Sequence, residues 1–194
     1  MLNRQQYIQE ITKFPTAWLG HGEFAMNLVK ELQPKTIVDL GVDYGFSTFC
    51  FAYEKIGSVY GVDWFKGDAH AGHRDTLQVV TDMYKRLKVL AGISDVSFMK
   101  SDFNDAAKNW ATKIDILHID GFHSYEAVKN DFETWSKFCN DKSVILLHDT
   151  QSYPLTVGKF FNELDGFKIE KKDWYGLGIY TKNEETFKLI RKLL

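Results

Sequence analysis

The stretch of residues 36–48 constrains the fold more than any other part of the chain. Its first five residues are mostly β-branched or aliphatic, which is typical of a buried strand, and an apolar helical pattern follows. Between the two, Gly41 and Gly45 allow the backbone to turn tightly and to approach a ligand without a Cβ clash. Ser47 is placed to cap the helix, whose first N–H groups would face an anionic or polar ligand group. The stretch predicts a strand, a ligand-binding turn and a helix.

The spacing of this turn differs from the fingerprint that binds dinucleotides. Asp43 and Tyr44 stand where small residues are needed beside a pyrophosphate, and a phosphate would meet a carboxylate there. This disfavours a nicotinamide-dependent oxidoreductase. The acid near the end of the strand, Asp39, instead suits a ligand with a cationic amino-acid group. On this stretch alone, a structural turn that binds nothing is the alternative.

Length and composition favour one folded unit. We expect a single domain over residues 1–194, with a helical cap at 1–34 and an α/β core at 35–194. The net charge of −2 gives no electrostatic reason to expect binding to nucleic acid or to an anionic membrane. The chain has no signal-peptide pattern and no apolar run as long as a membrane span, so we expect a cytoplasmic protein.

Four further strands alternate with helices, at residues 58–63, 96–102, 114–120 and 142–149, and a hairpin and a helix close the chain. This order predicts a doubly wound, mostly parallel sheet with ligand groups at the carboxyl ends of the strands. An acid lies at the end of each of the five strands. These acids are Asp39, Asp63, Asp102, Asp120 and Asp149. Because parallel strands end at one edge of a sheet, we expect the five acids to surround one ligand.

Two of these strand ends carry residues suited to a nucleoside. Asp63 is placed to bind both hydroxyls of a ribose through its carboxylate. Asp102 and Phe103 could meet an adenine through the carboxylate and the ring, although a helix N-cap followed by a core Phe is the alternative. The loop of residues 64–73 should lie over the ligand, and its histidines, His70 and His73, are expected to be exposed to solvent.

Six segments of the sequence together resemble the methyltransferase-24 family of class I S-adenosylmethionine (SAM)-dependent methyltransferases. The segments are residues 18–26, 39–47, 64–72, 118–128, 147–150 and 175–178. The most specific pieces are Ile-Asp-Gly-x-His-x-Tyr-Glu, which begins at Ile119, and His-Asp-Thr, which begins at His148. Members of this family are often found with glycosyltransferases or in polysaccharide and natural-product gene contexts. The resemblance implies a Rossmann-like α/β fold: a seven-stranded, mostly parallel sheet with an antiparallel last strand and helices on both faces.

The resemblance also implies that SAM lies across the ends of the first strands. Asp39, Gly41 and Gly45 would surround its methionine part. Asp63 would hold its ribose, and Asp102 with Phe103 its adenine. Asp120 and Asp149 would lie beside the sulfonium. Trp64 could flank the sulfonium or the adenine. The implied cofactor-binding residues are Asp39, Gly41, Gly45, Ser47, Asp63, Trp64, Asp102, Phe103 and Asp120.

Metal-dependent relatives hold a divalent ion, commonly Mg²⁺, at the fourth and fifth strand ends. The corresponding ligands here would be Asp120, Asp149 and His148. An acid is usual at the position of His148, and Mg²⁺ prefers oxygen ligands to imidazole. The resemblance therefore leaves both Mg²⁺-assisted and metal-free chemistry open.

A sugar hydroxyl needs either a cation or a base to become a good nucleophile. His123 follows Asp120 by three residues, and both can point at one place. We therefore predict His123 as the catalytic base, with Asp120 and Asp149 either binding a metal or orienting the base and the acceptor. The alternative for His123 is a turn residue bonded to the backbone. His118 is expected in the interior.

The sequence therefore predicts a SAM-dependent O-methyltransferase that acts on a saccharide or another small hydroxylated acceptor. The alternative is an inactive SAM-binding module that acts as a partner or regulatory domain. The two differ in whether any acceptor is methylated. The sequence leaves a homo-oligomer open.

Overall fold

The computed structural model of this chain describes residues 1–68 and 72–194, so His70 lies outside the described residues. The strands are β1 (Thr36–Leu40), β2 (Ser58–Asp63), β3 (Gly67–Asp68), β4 (Gly72–His73), β5 (Asp95–Lys100), β6 (Ile114–Ile119), β7 (Cys139–His148), β8 (Phe167–Lys171) and β9 (Leu177–Thr181). Seven of them form one sheet in the order β5-β2-β1-β6-β7-β9-β8, while β3 and β4 form a short antiparallel pair. The first five strands of the large sheet are parallel, and β9 is antiparallel to both of its neighbours. The predicted fold class is confirmed.

Helices cover both faces of this sheet, because alternate residues of each central strand pack into different apolar clusters. Ile37 and Ile116 belong to one cluster, whereas Val38 and Leu117 belong to the other. The α-helices are α1 (Arg4–Ile11), α2 (Gly22–Leu32), α3 (Phe46–Ala52), α4 (Leu77–Ala91), α5 (Phe103–Lys108), α6 (Tyr125–Trp135), α7 (Val157–Glu163) and α8 (Glu184–Arg191). The first cluster takes its helical residues mainly from α2, α3 and α4, and the second from α5, α6 and α7. The packing of helices on both faces holds the strands in place, and with them the edge at which the parallel strands end.

The segment before β1 packs against the first helix of the core. The hydroxyl of Tyr7, in α1, donates a hydrogen bond of 2.9 Å to the Phe49 carbonyl in α3. A single-turn 3₁₀ helix, Leu19–His21, leads into α2. Among the described residues, no helix combines the length and the apolar character needed to cross a bilayer.

Candidate functional site

The predicted acids do gather at one edge of the sheet. Asp63 is the last residue of β2, Asp120 and Asp149 directly follow β6 and β7, and Asp102 follows β5 by two residues. Asp39 differs, because it lies within β1 and is completely buried. The common edge is therefore as expected, but its side chains have different surroundings.

The buried carboxylate of Asp39 anchors the turn from the protein interior. One carboxylate oxygen accepts hydrogen bonds from Ser47 Oγ at 2.8 Å and Thr48 Oγ1 at 2.5 Å, and the other lies 2.6 Å from His118 Nδ1. His118 is the register partner of Asp39 on β6, so the pair is fixed by the sheet. These contacts give Asp39 a structural role in the turn, and its contact with the methionine part of SAM stays a prediction.

Ser47 does not cap α3, so the predicted capping role of its hydroxyl is wrong. The N-cap is Gly45, with φ of +86° and no side-chain cap bond. Ser47 lies one residue inside the helix, where the buried carboxylate of Asp39 takes its hydroxyl. Ser47 is 5 % exposed and therefore supports the turn instead of lining a cleft.

The turn itself is held by Asp63. Its carboxylate accepts N–H groups from Val42 and Asp43, each at 2.9 Å, and from Phe65 at 2.6 Å. Burial raises the pKa of Asp63, although these three donors oppose the change. Gly41 has φ of +96° and passes directly against the backbone of Asp120. The turn between β1 and α3 is thus tied to the ends of both neighbouring strands.

The predicted adenine end is more open. Asp102 is exposed and caps α5, accepting the N–H of Asn104 at 2.8 Å, so the helix N-cap alternative is confirmed. Phe103 is half-buried, and its ring lies over Gly121, where an added Cβ would come within 2.8 Å of Cε2. Trp64 follows β2 and is 51 % exposed. Their roles toward a cofactor stay predictions.

Three side chains form the centre of this edge: Asp120, His123 and Asp149. Their ligand atoms all lie within 4.8 Å of one another, with His123 Nε2 at 2.8 Å from Asp149 Oδ2 and 3.8 Å from Asp120 Oδ1. The φ of +64° at Asp149 turns the chain sharply after β7. The His123 ring stacks on Tyr153 at 4.2 Å, with an angle of 5° between the planes. We call these three residues the carboxylate centre.

The charges of the carboxylate centre are strongly coupled. Burial by itself would raise the pKa of Asp120 and of Asp149, but the neighbouring imidazoles hold the pKa of Asp120 well below its ordinary value and also lower that of Asp149. Burial would lower the pKa of His123, yet the two carboxylates raise it to about 9. At neutral pH this arrangement favours the imidazolium, which donates a proton and does not accept one. The predicted role of His123 as a base therefore requires that this proton first be lost.

His148 lies behind the carboxylate centre in a cluster that we call the imidazole cage. Its Nδ1 is 3.3 Å from an oxygen of Asp120 and 3.2 Å from one of Asp149. The cage consists of four buried rings, and the centroids of the rings in contact lie 4.7–6.4 Å apart: Trp18, His21, His118 and His148. The set of possible metal ligands found among the described residues contains His123 where the sequence predicted His148. As predicted, His118 is interior.

Sequence reasoning missed Asp131, which lies on the buried face of α6. Asp131 is 6 % exposed and lines a cavity of about 10 Å³ beside Asp120 and His123. Burial raises its pKa to about 6. The signal was available, because Asp131 falls between Val128 and Trp135 on the apolar stripe of the helix.

We expect Asp131→Asn to stabilise the protein above pH 6. The folded state holds a proton on Asp131 that the unfolded chain has already lost, so stability falls as the pH rises from about 4 to about 6. At pH 7.5 the variant should gain about 1–3 kcal/mol, and the gain should shrink toward pH 4. Urea unfolding at both pH values measures this. Asp141→Asn, at an exposed position, is the control, and an equal gain in both variants would contradict the prediction.

Comparison with known proteins identifies a family for this chain. The family model of a methyltransferase domain matches residues 38–150, which is more than half of the chain. The uncharacterized protein y4gI of Sinorhizobium fredii is 38% identical over 149 residues. The match covers 70% of this chain but only 15% of y4gI, so the chain spans a small part of that relative.

Solved structures share the fold at low sequence identity. The O-methyltransferase of Bacillus cereus in complex with S-adenosylhomocysteine (SAH) has a TM-score of 0.67 and 15% identity, over 93% of this chain and 92% of that one. The SAH-bound methyltransferase PaMTH1 of Podospora anserina has a TM-score of 0.66 and 13% identity, over 91% and 86%. The O-methyltransferase TomG of Streptomyces achromogenes, in complex with SAM, has a TM-score of 0.65 and 12% identity, over 94% and 92%. With the family match over residues 38–150, the chain belongs to the family of methyltransferase domains that this model describes.

Proposed function

We propose that this protein is a SAM-dependent O-methyltransferase whose acceptor is a saccharide or another small hydroxylated molecule. The observation that carries the proposal is the convergence of Asp120, His123 and Asp149 beside the turn between β1 and α3, which we call the glycine turn. The family match supports methyl transfer, and the fold is shared with O-methyltransferases bound to SAM or SAH. The charged centre favours an enzyme over an inactive binding module, because a module that only bound SAM would not need it.

In this proposal the cofactor lies along the edge formed by the turn and the ends of β2 and β5. Gly41 and Gly45, both with positive φ, would let the backbone approach its methionine part, and Asp63, the last residue of β2, would lie at its ribose. Phe103 and Trp64 would flank the adenine. Asp39 and Ser47 support the turn from within, so we now assign them a structural role in cofactor binding.

Methyl transfer from a sulfonium requires the acceptor oxygen, the methyl carbon and the sulfur to lie in line. The new O–C bond forms as the C–S bond breaks, and the acceptor loses its hydroxyl proton. We assign that proton to the pair of His123 and Asp149, which are 2.8 Å apart. His123 takes the proton when it is neutral, and as an imidazolium it can stabilise an acceptor oxygen that is already ionised.

The donor set also fits a divalent ion. Asp120 and Asp149 supply carboxylate oxygens and His123 supplies an imidazole nitrogen, a mixture that suits Mn²⁺ or a similar transition ion better than Mg²⁺. Such an ion would lower the pKa of an acceptor hydroxyl. His148 adds a further positive charge behind the carboxylates, since Asp120 in particular raises its pKa to about 10 against the effect of burial.

We expect Asp149→Asn to lower turnover by roughly 10²–10⁴-fold while SAM binding changes little. Asn is among the residues that best tolerate the positive φ at this position, so the backbone should be kept. SAH release with methyl glycosides and simple phenols, with and without Mn²⁺ or Mg²⁺, measures turnover, and calorimetry measures SAM binding. The matched control is Asp105→Asn, an exposed acid paired with Lys108. Tight SAM binding without turnover on any acceptor would favour the binding module, and absent SAM binding would refute both.

A further inference from the structure

We propose that Arg74 binds the α-carboxylate of SAM; this inference rests on the proposed function. Arg74 follows β4 and reaches back to the glycine turn. Its Nε lies 2.8 Å from Asp43 Oδ1 and its Nη2 2.7 Å from Asp43 Oδ2, so the guanidinium and the carboxylate meet in a two-pronged pair. A guanidinium in this fork geometry is the side chain best suited to recognise a planar carboxylate.

The guanidinium is held in place by a stack of rings. Arg74 Cζ lies 5.0 Å from the centroid of the Tyr44 ring, and that ring stacks on Phe14 at 5.0 Å with an angle of 6°. Three segments distant in sequence therefore meet at the turn: the chain before α2, the turn itself and the chain after β4. The backbone of Asp43 is also unusual, because its φ of +47° lies in the left-handed region that favours glycine.

The charges around the turn explain why a cation is needed there. Burial raises the pKa of Asp43, Asp63 and Asp120 raise it further, and Arg74 opposes them. Asp43 thus lies close enough to Asp63 and Asp120 to be affected by the charges of both carboxylates. Among the ion pairs of the described residues, the pair with Arg74 is the one that reaches the turn.

SAM fits this distribution of charge. It carries two positive groups, the sulfonium and the α-ammonium, and one negative group, the α-carboxylate. Three protein carboxylates favour the positive groups but repel the carboxylate. Arg74 is placed to offset that repulsion: the α-carboxylate can join Asp43 on the guanidinium, which carries five N–H donors.

The competing explanation is an ordinary surface ion pair. The side chains of Arg74 and Asp43 are 29% and 43% exposed, and a pair in such a setting contributes little to stability. A surface pair would have no preference among ligands. Binding by Arg74 instead predicts an effect that depends on whether the ligand has an α-carboxylate.

The test is a titration of the full chain and its variants with SAM and with decarboxylated SAM, followed by calorimetry. We expect Arg74→Gln to weaken SAM binding about 10- to 100-fold and to change the binding of decarboxylated SAM by less than about 3-fold. Arg74→Lys should lose less, because it keeps the charge without the fork. Arg86→Gln is the control, since Arg86 pairs with Glu10.

The decarboxylated ligand separates the possible failures. Its continued binding shows that Arg74→Gln is folded and that the nucleoside part of the site is intact. Equal losses for both ligands, or no loss for SAM, would overturn the assignment of Arg74 while leaving the proposed function standing. If the unmodified chain bound neither ligand, the proposed function would fall, and this assignment with it.

Discussion

Gly41→Ala is expected to destabilise the protein by at least about 3 kcal/mol, or to prevent folding. The φ of Gly41 is +96°, a backbone conformation that residues other than glycine rarely adopt. The added Cβ would lie 2.0 Å from the backbone oxygen of Asp120, and neither group can move without separating β1 from β6. Urea unfolding gives the loss in free energy.

Gly72→Ala separates the contact from the backbone effect. Gly72 also has a positive φ, +80°, but an added Cβ there would meet no atom of the described residues within 4 Å. We expect this control to cost only about 1 kcal/mol, the backbone contribution alone. If the two variants lost the same stability, the close approach of Gly41 to Asp120 would not be what requires glycine.

Asp39→Ala is expected to cost about 3–5 kcal/mol, because it leaves buried partners without an acceptor. Ser47, Thr48 and His118 all direct polar atoms at this carboxylate, which is fully buried. The loss should be accompanied by weaker SAM binding, since α3 and the turn are tied to β1 through the same group. The free energy of unfolding and the dissociation constant for SAM test the two parts separately.

Asp102→Ala is the matched control for this second variant. Asp102 is also an acid at the carboxyl edge, but it is exposed and only caps α5. Losing an N-cap costs about 1 kcal/mol. An Asp39→Ala variant no less stable than Asp102→Ala would contradict the anchoring role.

The fold could be predicted because its signals are local and repeated. β-branched runs, such as residues 36–40 and 144–147, mark strands buried on both faces, and the helices between them require parallel order. Cys139 shows the limit of such signals. The sequence predicts the fifth strand at residues 142–149, yet β7 already begins at Cys139, which pairs with Ile114 of β6.

The site was predicted less completely, because contacts across the chain do not appear in local patterns. The sequence located Asp39 near a strand end, but not that its cross-strand neighbour, His118, would draw the carboxylate inward. It also could not pair Asp43 with Arg74, which lies 31 residues away. The Asp-Gly-x-His spacing did predict that Asp120 and His123 would meet, because both lie on one short turn.

The imidazole cage shows that the surroundings of the carboxylate centre include residues before the family match at 38–150. Two of its rings, Trp18 and His21, precede the family match at residues 38–150, yet they pack against His148, which lies beside the carboxylates that we assign to chemistry. A shortened or chimeric version that kept only the matched region would therefore lose the contacts of Trp18 and His21 with His148. Substitutions at Trp18 or His21 would therefore change the surroundings of His148 while leaving residues 38–150 unaltered.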